Sequence, residues 1–329
     1  MIGKSLGRYR IVDAIATGGM GEVFRAIDEL DGREVAIKLL RTDAAADPIV
    51  RSMFAAEASV ALTLRHRNIV QALDSGHAHG RDYFVMELVS GVDLGAVLRV
   101  YRELLRRPMP LPLATRIVIE ALRGLEHAHR CRDGAGESLR LVHRDVSPEN
   151  VLVSFDGSVK LADFGVAQSA LKGRSSLVGA LKGKVVYMAP EQLRAEKIDA
   201  RADIYSMGVV LYEMITGRRP FARDDWSIIP DILNAAYPRP REIDPTIPPQ
   251  LEEIVLRELS LSSADRDPSA AAMGLSLEAL AWEMGWTYTG GDLGDLAREA
   301  SELSDQATER YTPTPTRPAR PGSIRPPAS

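Results

Sequence analysis

The chain has 329 residues, 45% hydrophobic and 26% charged, with a formal net charge of −4 at pH 7; this is ordinary globular composition, long enough for two lobes and a sizeable core. The acidic balance argues against a nucleic-acid binder, and Cys131, the single cysteine, leaves no internal disulfide and no multi-cysteine zinc site. No run reaches the roughly 18 to 20 apolar residues of a transmembrane span, and residues 1–10 lack the apolar stretch of a signal peptide, so a cytoplasmic location is expected.

From Tyr9 to about Val89 the texture is strand-rich. Tyr9–Ile15, Glu22–Asp28 and Glu34–Leu40 are short β-branched or alternating segments separated by glycine turns, and Ile69–Leu73 and Tyr83–Leu88 add two more strands. Between them Asp47–Leu64 has apolar residues at helical spacing after Pro48. Five strands and one helix make a small lobe.

Past Gly91 long helical segments take over, at Thr115–His129, Asp203–Thr216 and Gln250–Leu259, interrupted by short strands at Val151–Ser154 and Lys160–Ala162. Cys131–Leu139 is polar and reads as a surface insertion. Ser269–Gly285 reads as a closing helix, and Leu293, Leu296, Ala300 and Leu303 recur at the spacing of a further short helix. Residues 311–329 hold six prolines, three arginines and no acidic residue, a composition that cannot bury enough to order itself.

Several stretches carry phosphate chemistry. Ile15-Ala16-Thr17-Gly18-Gly19-Met20-Gly21-Glu22-Val23 lies between two strands, and its glycines let backbone N–H groups approach phosphate oxygens. A strand on both sides argues against a dinucleotide fold, and no Gly-Lys-Ser/Thr follows, which rules out a Walker P-loop. Lys38 ends the strand Val35-Ala36-Ile37, and Glu57 stands on a helix face otherwise made of alanines. A charge there requires a partner, and Lys38 is the natural one, held against the phosphates.

His143-Arg144-Asp145-Val146-Ser147-Pro148-Glu149-Asn150 is the most informative stretch. Asp145 can orient an attacking hydroxyl and accept its proton; Asn150 offers a neutral oxygen to a hard cation. Asp163-Phe164-Gly165 follows after a strand–turn–strand and supplies the anionic metal ligand.

Together with Ala189-Pro190-Glu191, the Asp203–Gly208 segment and Arg266, these landmarks resemble, in order, the eukaryotic-like (Hanks-type) protein kinase family, in particular its bacterial serine/threonine branch. The resemblance implies an α+β, bilobal fold, with a five-stranded antiparallel N-lobe carrying one helix and a mainly helical C-lobe. It divides the chain into an N-terminal extension (1–8), a kinase domain (9–285, lobes 9–88 and 91–285), a helical extension (286–310) and a disordered tail (311–329). ATP with Mg²⁺ or Mn²⁺ would sit between the lobes, against Ala36 and the Gly-rich loop. Met86 would be the gatekeeper, and the backbone from Glu87 to Val89 would bind adenine. Arg144 marks the class controlled by activation-loop phosphate, for which Ser175 and Ser176 are the candidates beside Ser169 and Tyr187. Tyrosine specificity is disfavoured, because Ser147-Pro148-Glu149 lacks an arginine. Expected partners are proteins with serine or threonine acceptors. Threonines 312, 314 and 316, once phosphorylated, would offer a docking site for phospho-reading domains.

Two departures stand out. Ala16 replaces the first loop glycine. Ser147 replaces the lysine that normally touches the γ-phosphate, while Lys184 stands where the family has threonine. Serine and lysine are therefore expected to be an exchanged pair, with Lys184 aimed at Asp145. The competing reading is a pseudokinase-like ATP-binding or scaffold module.

Overall fold

The computed structural model describes residues 1–18, 21–133, 135–164, 183–221, 223 and 225–311, with side chains in the last helix described as far as Gln306. Gly19, Met20, Gly165, Ser169, Lys172, Ser175, Ser176, Lys182 and residues 312–316 lie outside them.

The first lobe is an antiparallel sheet of β1 (Ser5–Leu6), β2 (Tyr9–Thr17), β3 (Gly21–Asp28), β4 (Glu34–Leu40), β5 (Ala72–Ala78) and β6 (Arg81–Glu87), in the order β1-β2-β3-β4-β6-β5. The expected five strands are thus six. Leu6 is fully buried with Tyr9, Ile37 and Tyr83, which holds Ser5–Leu6 against β2. Two residues are too few to show a strand's alternation in sequence.

A second correction concerns the strand expected at Ile69–Leu73. Ile69 makes only an isolated parallel bridge to Leu161, and the strand runs instead from Ala72 to Ala78. The cause is tertiary: β5 is an edge strand whose Gly76 faces Tyr83, and a Cβ at Gly76 would lie 2.6 Å from the Tyr83 hydroxyl. Only glycine admits that ring.

Helix α1 (Thr42–Ala45) leads into α2 (Pro48–Thr63). The Asp47 carboxylate caps α2 through the Ile49 N–H at 2.9 Å, and Pro48 takes a first-turn position where no donor is lost. Val50, Phe54 and Ala58 pack on Leu40 and Phe84, with the Phe54 and Phe84 rings 5.3 Å apart. That face burial turns Glu57 toward the sheet.

The second lobe begins with β7 (Gly91–Asp93), α3 (Leu94–Arg99), a π-helical turn over Val100–Leu105 and α4 (Leu111–His129). Strands β8 (Val151–Ser154) and β9 (Val159–Leu161) join β7 in a small antiparallel sheet. There follow α5 (Pro190–Leu193), α6 (Arg201–Thr216), α7 (Ile229–Leu233), α8 (Pro240–Ile243), α9 (Pro249–Glu258) and α10 (Ala270–Glu283). Every residue of α6 after Arg201 is buried, so α6 is the axis of this lobe. It ends at Gly217, whose φ of 72° gives the left-handed cap that glycine adopts without strain.

The last helix, α11 (Gly290–Tyr311), has 22 residues and is longer than the short helix expected. Leu293, Leu296, Ala297 and Ala300 are buried in the core of this lobe, and α11 packs on α3, β7 and β8. A Cβ at Gly294 would lie 2.4 Å from the Phe155 carbonyl oxygen, which is the closeness that seats α11.

Candidate active site

The strand register builds one wall of the candidate cleft. Gly21 pairs with Leu40, Val23 with Lys38, Lys38 with Phe84, and Ala36 with Met86. Beyond β2 the Gly18 N–H donates to the Gly21 carbonyl at 2.8 Å, closing the β2–β3 hairpin. A Cβ at Gly21 would lie 3.3 Å from both the Leu39 carbonyl oxygen and Lys38 Cγ, so glycine keeps this turn close to the lysine. Ala16 pairs with Val23 just past a register shift in β2 and is not among the residues with positive φ; alanine there needs no left-handed backbone. Ile15, Ala16, Thr17 and Gly18 are exposed, Glu22 half-buried.

Lys38 is buried and holds two carboxylates at once. Its Nζ donates to Glu57 Oε1 at 2.6 Å and to Asp163 Oδ1 at 2.9 Å, and lies 5.7 Å from the centre of the Phe84 ring. Burial opposes the ammonium charge, but Asp163 and Glu57 outweigh it and raise the Lys38 pKa above its ordinary value. Burial likewise works against the Asp163 carboxylate, and the attraction of Lys38 wins, holding it below its usual range.

Asp145 and Asn150 face this pair from the segment before β8. Asn150 Nδ2 donates to the Asp145 carbonyl at 2.7 Å and to its Oδ2 at 3.0 Å. Lys184, from the far end of the segment that joins β9 to α5, reaches the same carboxylate: its Nζ is 2.7 Å from Asp145 Oδ2. The Ser147 hydroxyl is buried and has no hydrogen-bond partner among the described residues. The ammonium half of the expected exchange is therefore in place, while the hydroxyl half does not close the triangle.

The backbone around the candidate site is strained and braced. Arg144 and Asp163 have φ of 66° and 53°, a region that costs non-glycine residues energy. Asp203, buried in α6, accepts the His143 N–H at 2.7 Å and the Arg144 N–H at 2.8 Å. His129 Nε2 lies 2.7 Å from Asp203 Oδ2, the oxygen that accepts the His143 N–H. Burial would raise the Asp203 carboxyl, yet the His129 contact and these donors hold it below its ordinary value. The His143 ring, whose pKa burial lowers, lies with its centre 4.5 Å from that of the Phe164 ring, the two planes tilted by 39°, and its Nε2 contacts the Ala162 carbonyl at 3.1 Å.

Below the site Arg266 makes a fork with Glu191 at 2.7 and 2.9 Å and lies over the Tyr205 ring. Gln192 Nε2 donates to the Arg144 carbonyl at 3.1 Å, tying α5 to the catalytic stretch. Tyr187 is buried and donates to Glu213 Oε2 at 2.6 Å; burial raises its hydroxyl well above the ordinary tyrosine value, so it is a packing residue. Met86 and Glu87, at the end of β6, and Val89, on the connector that follows, are half-buried. Glu87 is fixed there by Gln71 N–H at 2.8 Å and Lys160 Nζ at 2.9 Å. The sequence reading missed His129, Gln192 and Lys160, whose roles arise only from tertiary contacts.

The donor set suits a metal held jointly with phosphates. No cluster of three or more His, Cys, Asp or Glu side chains able to hold a metal occurs among the described residues. Asp163 uses one oxygen for Lys38, and Asn150 uses its amide nitrogen, so each keeps an oxygen for a hard cation. Mg²⁺ characteristically takes one or two such protein oxygens and completes its shell with phosphate and water.

Comparison with known proteins agrees with this arrangement. The family model described as "Protein kinase domain" matches residues 9–272. Curated relatives include the tyrosine-protein kinase MasK of Myxococcus xanthus, 40% identical over 83% of this chain and 43% of MasK. The serine/threonine-protein kinase PknL of Mycobacterium tuberculosis is 39% identical over 84% of this chain and 66% of PknL. PknE of the same species is 36% identical over 82% of this chain and 46% of PknE. The chain thus spans from under half to about two thirds of these relatives' lengths. Among solved structures, the PknI kinase domain of M. tuberculosis superposes with a TM-score of 0.65 at 26% identity, covering 87% of this chain and 99% of that one. Among the described residues no helix is long and apolar enough to cross a membrane.

Proposed function

The chain belongs to the protein kinase domain family, and on that premise we propose that it transfers the γ-phosphoryl of Mg-ATP to serine or threonine hydroxyls of other proteins. The observation that carries this reading is the unbroken run of contacts from Glu57 through Lys38 to Asp163, facing Asp145, Asn150 and Lys184. These are the groups that position a triphosphate, a metal and a nucleophile together.

Lys38 would hold the α- and β-phosphates, steadied by Glu57. Asp163 and Asn150 would hold Mg²⁺, which when bound neutralises charge shared between the phosphates. Asp145 orients the acceptor hydroxyl and takes its proton as the oxygen–phosphorus bond forms and the bond to the β-phosphate oxygen breaks. Lys184 stands where an ammonium would meet the charge on the transferring group.

Serine/threonine specificity is favoured by Ser147-Pro148-Glu149, which places no arginine after Asp145. The likeness to MasK, named a tyrosine-protein kinase, supports the second reading. Phosphoamino-acid analysis after incubation with labelled ATP and a generic basic protein, with Asp145→Asn as control, decides between them. Phosphoserine and phosphothreonine lost in Asp145→Asn are expected; phosphotyrosine would transfer the assignment to the second reading. No label above the control would leave an ATP-binding scaffold.

A further inference from the structure

A concavity on the helical lobe shares no residue with the nucleotide cleft. It has a volume of about 950 Å³ and opens between the loop after α2, helix α4 and helix α10. Ile119, Leu122, Ala270, Gly274 and Leu275 supply apolar lining, and Arg65, Arg67, Arg123, Arg130 and Arg132 supply cations against only Glu126 and Glu278.

Some of these cations are paired, Arg130 with Glu126 and Arg123 with Glu278, and Arg67 and Arg123 share the Glu120 carboxylate with Arg116; the cations still outnumber the carboxylates they meet. Arg67 and Arg130 keep 70% and 76% of their side chains in solvent. On a chain of net charge −4, this is a local surplus of the opposite sign.

The apolar surface continues outside the cavity along α10. Leu275 is 65% exposed and Trp282 90% exposed. They stand seven positions apart, about two turns along one helix face, with exposed Ala279 between. A tryptophan and a leucine left in water beside an arginine rim is the composition that interface hot spots favour, and it is uncommon on a surface with no partner.

We infer that this face docks an acidic protein segment bearing bulky apolar anchors at helical spacing. One anchor fills the cavity beside Leu275, another covers Trp282, and the segment's carboxylates meet the arginines. Charge selects this occupant. A second copy docking through the same face would set arginine against arginine, and a neutral apolar ligand would leave the rim unused. One wall, residues 63–68, continues directly from α2, the helix that carries Glu57.

The test uses the full chain, a glutamate-rich peptide of about 18 residues with leucines at helical spacing, and its lysine counterpart, in titration calorimetry. The acidic peptide is expected to bind at least about tenfold more tightly than the lysine peptide. Its affinity should fall at least about tenfold in Trp282→Ala and in the double variant Arg67→Glu with Arg130→Glu. It should also weaken at least about threefold between about 50 and 300 mM salt. These side chains are exposed, and circular dichroism verifies that the variants fold. Equal affinity for the two peptides, binding unmoved by Trp282→Ala, or no heat with the acidic peptide up to about 1 mM would overturn the inference. Concentration-dependent dimerisation that Trp282→Ala abolishes would overturn it too, by assigning the face to a second copy.

Discussion

Lys184 and Asp145 are 39 residues apart in sequence, yet the ammonium of one lies 2.7 Å from the carboxylate of the other. The Ser147 hydroxyl, two residues after Asp145, is buried with no partner among the described residues. The two side chains therefore differ sharply in what their removal should cost.

Lys184→Ala is expected to lower kcat by about a hundred- to a thousandfold, the scale of an ammonium lost from a phosphate about 4 Å away. Ser147→Ala should leave kcat within about threefold and should not lower Tm, since a buried hydroxyl without a partner contributes nothing to hold. The double variant Ser147→Lys with Lys184→Thr, which returns the cation to the catalytic stretch, should recover at least about tenfold over Lys184→Ala. Steady-state kinetics on the four proteins checks this, and full activity in Lys184→Ala would remove the lysine from the mechanism.

Lys38→Met should abolish measurable turnover and also destabilise the fold, because Glu57 is buried and would lose its partner, at a cost of about 3–5 kcal/mol. Adding Glu57→Gln should restore much of the thermal stability and none of the activity. Melting curves and kinase assays on the single and double variants separate the two roles of the lysine.

The Arg266–Glu191 fork is buried on both sides. Arg266→Ala strands the Glu191 carboxylate and should cost about 3–5 kcal/mol, a fall in Tm on the order of 10 °C for a domain of this size. Calorimetry at neutral pH measures it; a change of less than about 2 °C would mean that water reaches Glu191.

Glu258 yields a pH test. Burial pushes its carboxyl up to about 7, even though it accepts the Asp267 N–H at 3.0 Å and lies 3.1 Å from Arg257. Because the folded state binds this proton more tightly than the unfolded one, its contribution to stability is fully present below about pH 4.5 and is lost as pH rises through about 7. Glu258→Gln, which cannot ionise, should flatten the decline in Tm between pH 5.5 and 8. An unchanged slope would place the titration elsewhere.

The residues that gather in the candidate site were legible because phosphate chemistry would demand particular side chains at constrained spacing. Lys38 and Glu57 could be paired from the cost of an unpartnered charge among alanines, and the structure places them 2.6 Å apart. The α2 boundaries were legible from Asp47 and Pro48, whose capping chemistry is local. What escaped was tertiary. Ser5–Leu6 is a strand only because Leu6 fills a gap beside Tyr83. Ala72–Ala78 looks polar and glycine-broken in sequence, and its glycine is explained by a ring from the neighbouring strand. His129 could be recognised only after Asp203 had been placed against it. The likeness to other kinases suggested that Lys184 would approach Asp145; nothing in the sequence indicated that Ser147 would not join them.

Helix α11 lies against β7, the strand that begins two residues past Val89 on the connector. The 9–272 span of the family model stops short of it. A fragment ended after α10 would bare the seat of Leu293, Leu296 and Ala300 beside the chain that joins the two lobes. The helix thus braces the point where the chain enters the second lobe, and its removal should lower that lobe's stability before any residue of the candidate site has been changed.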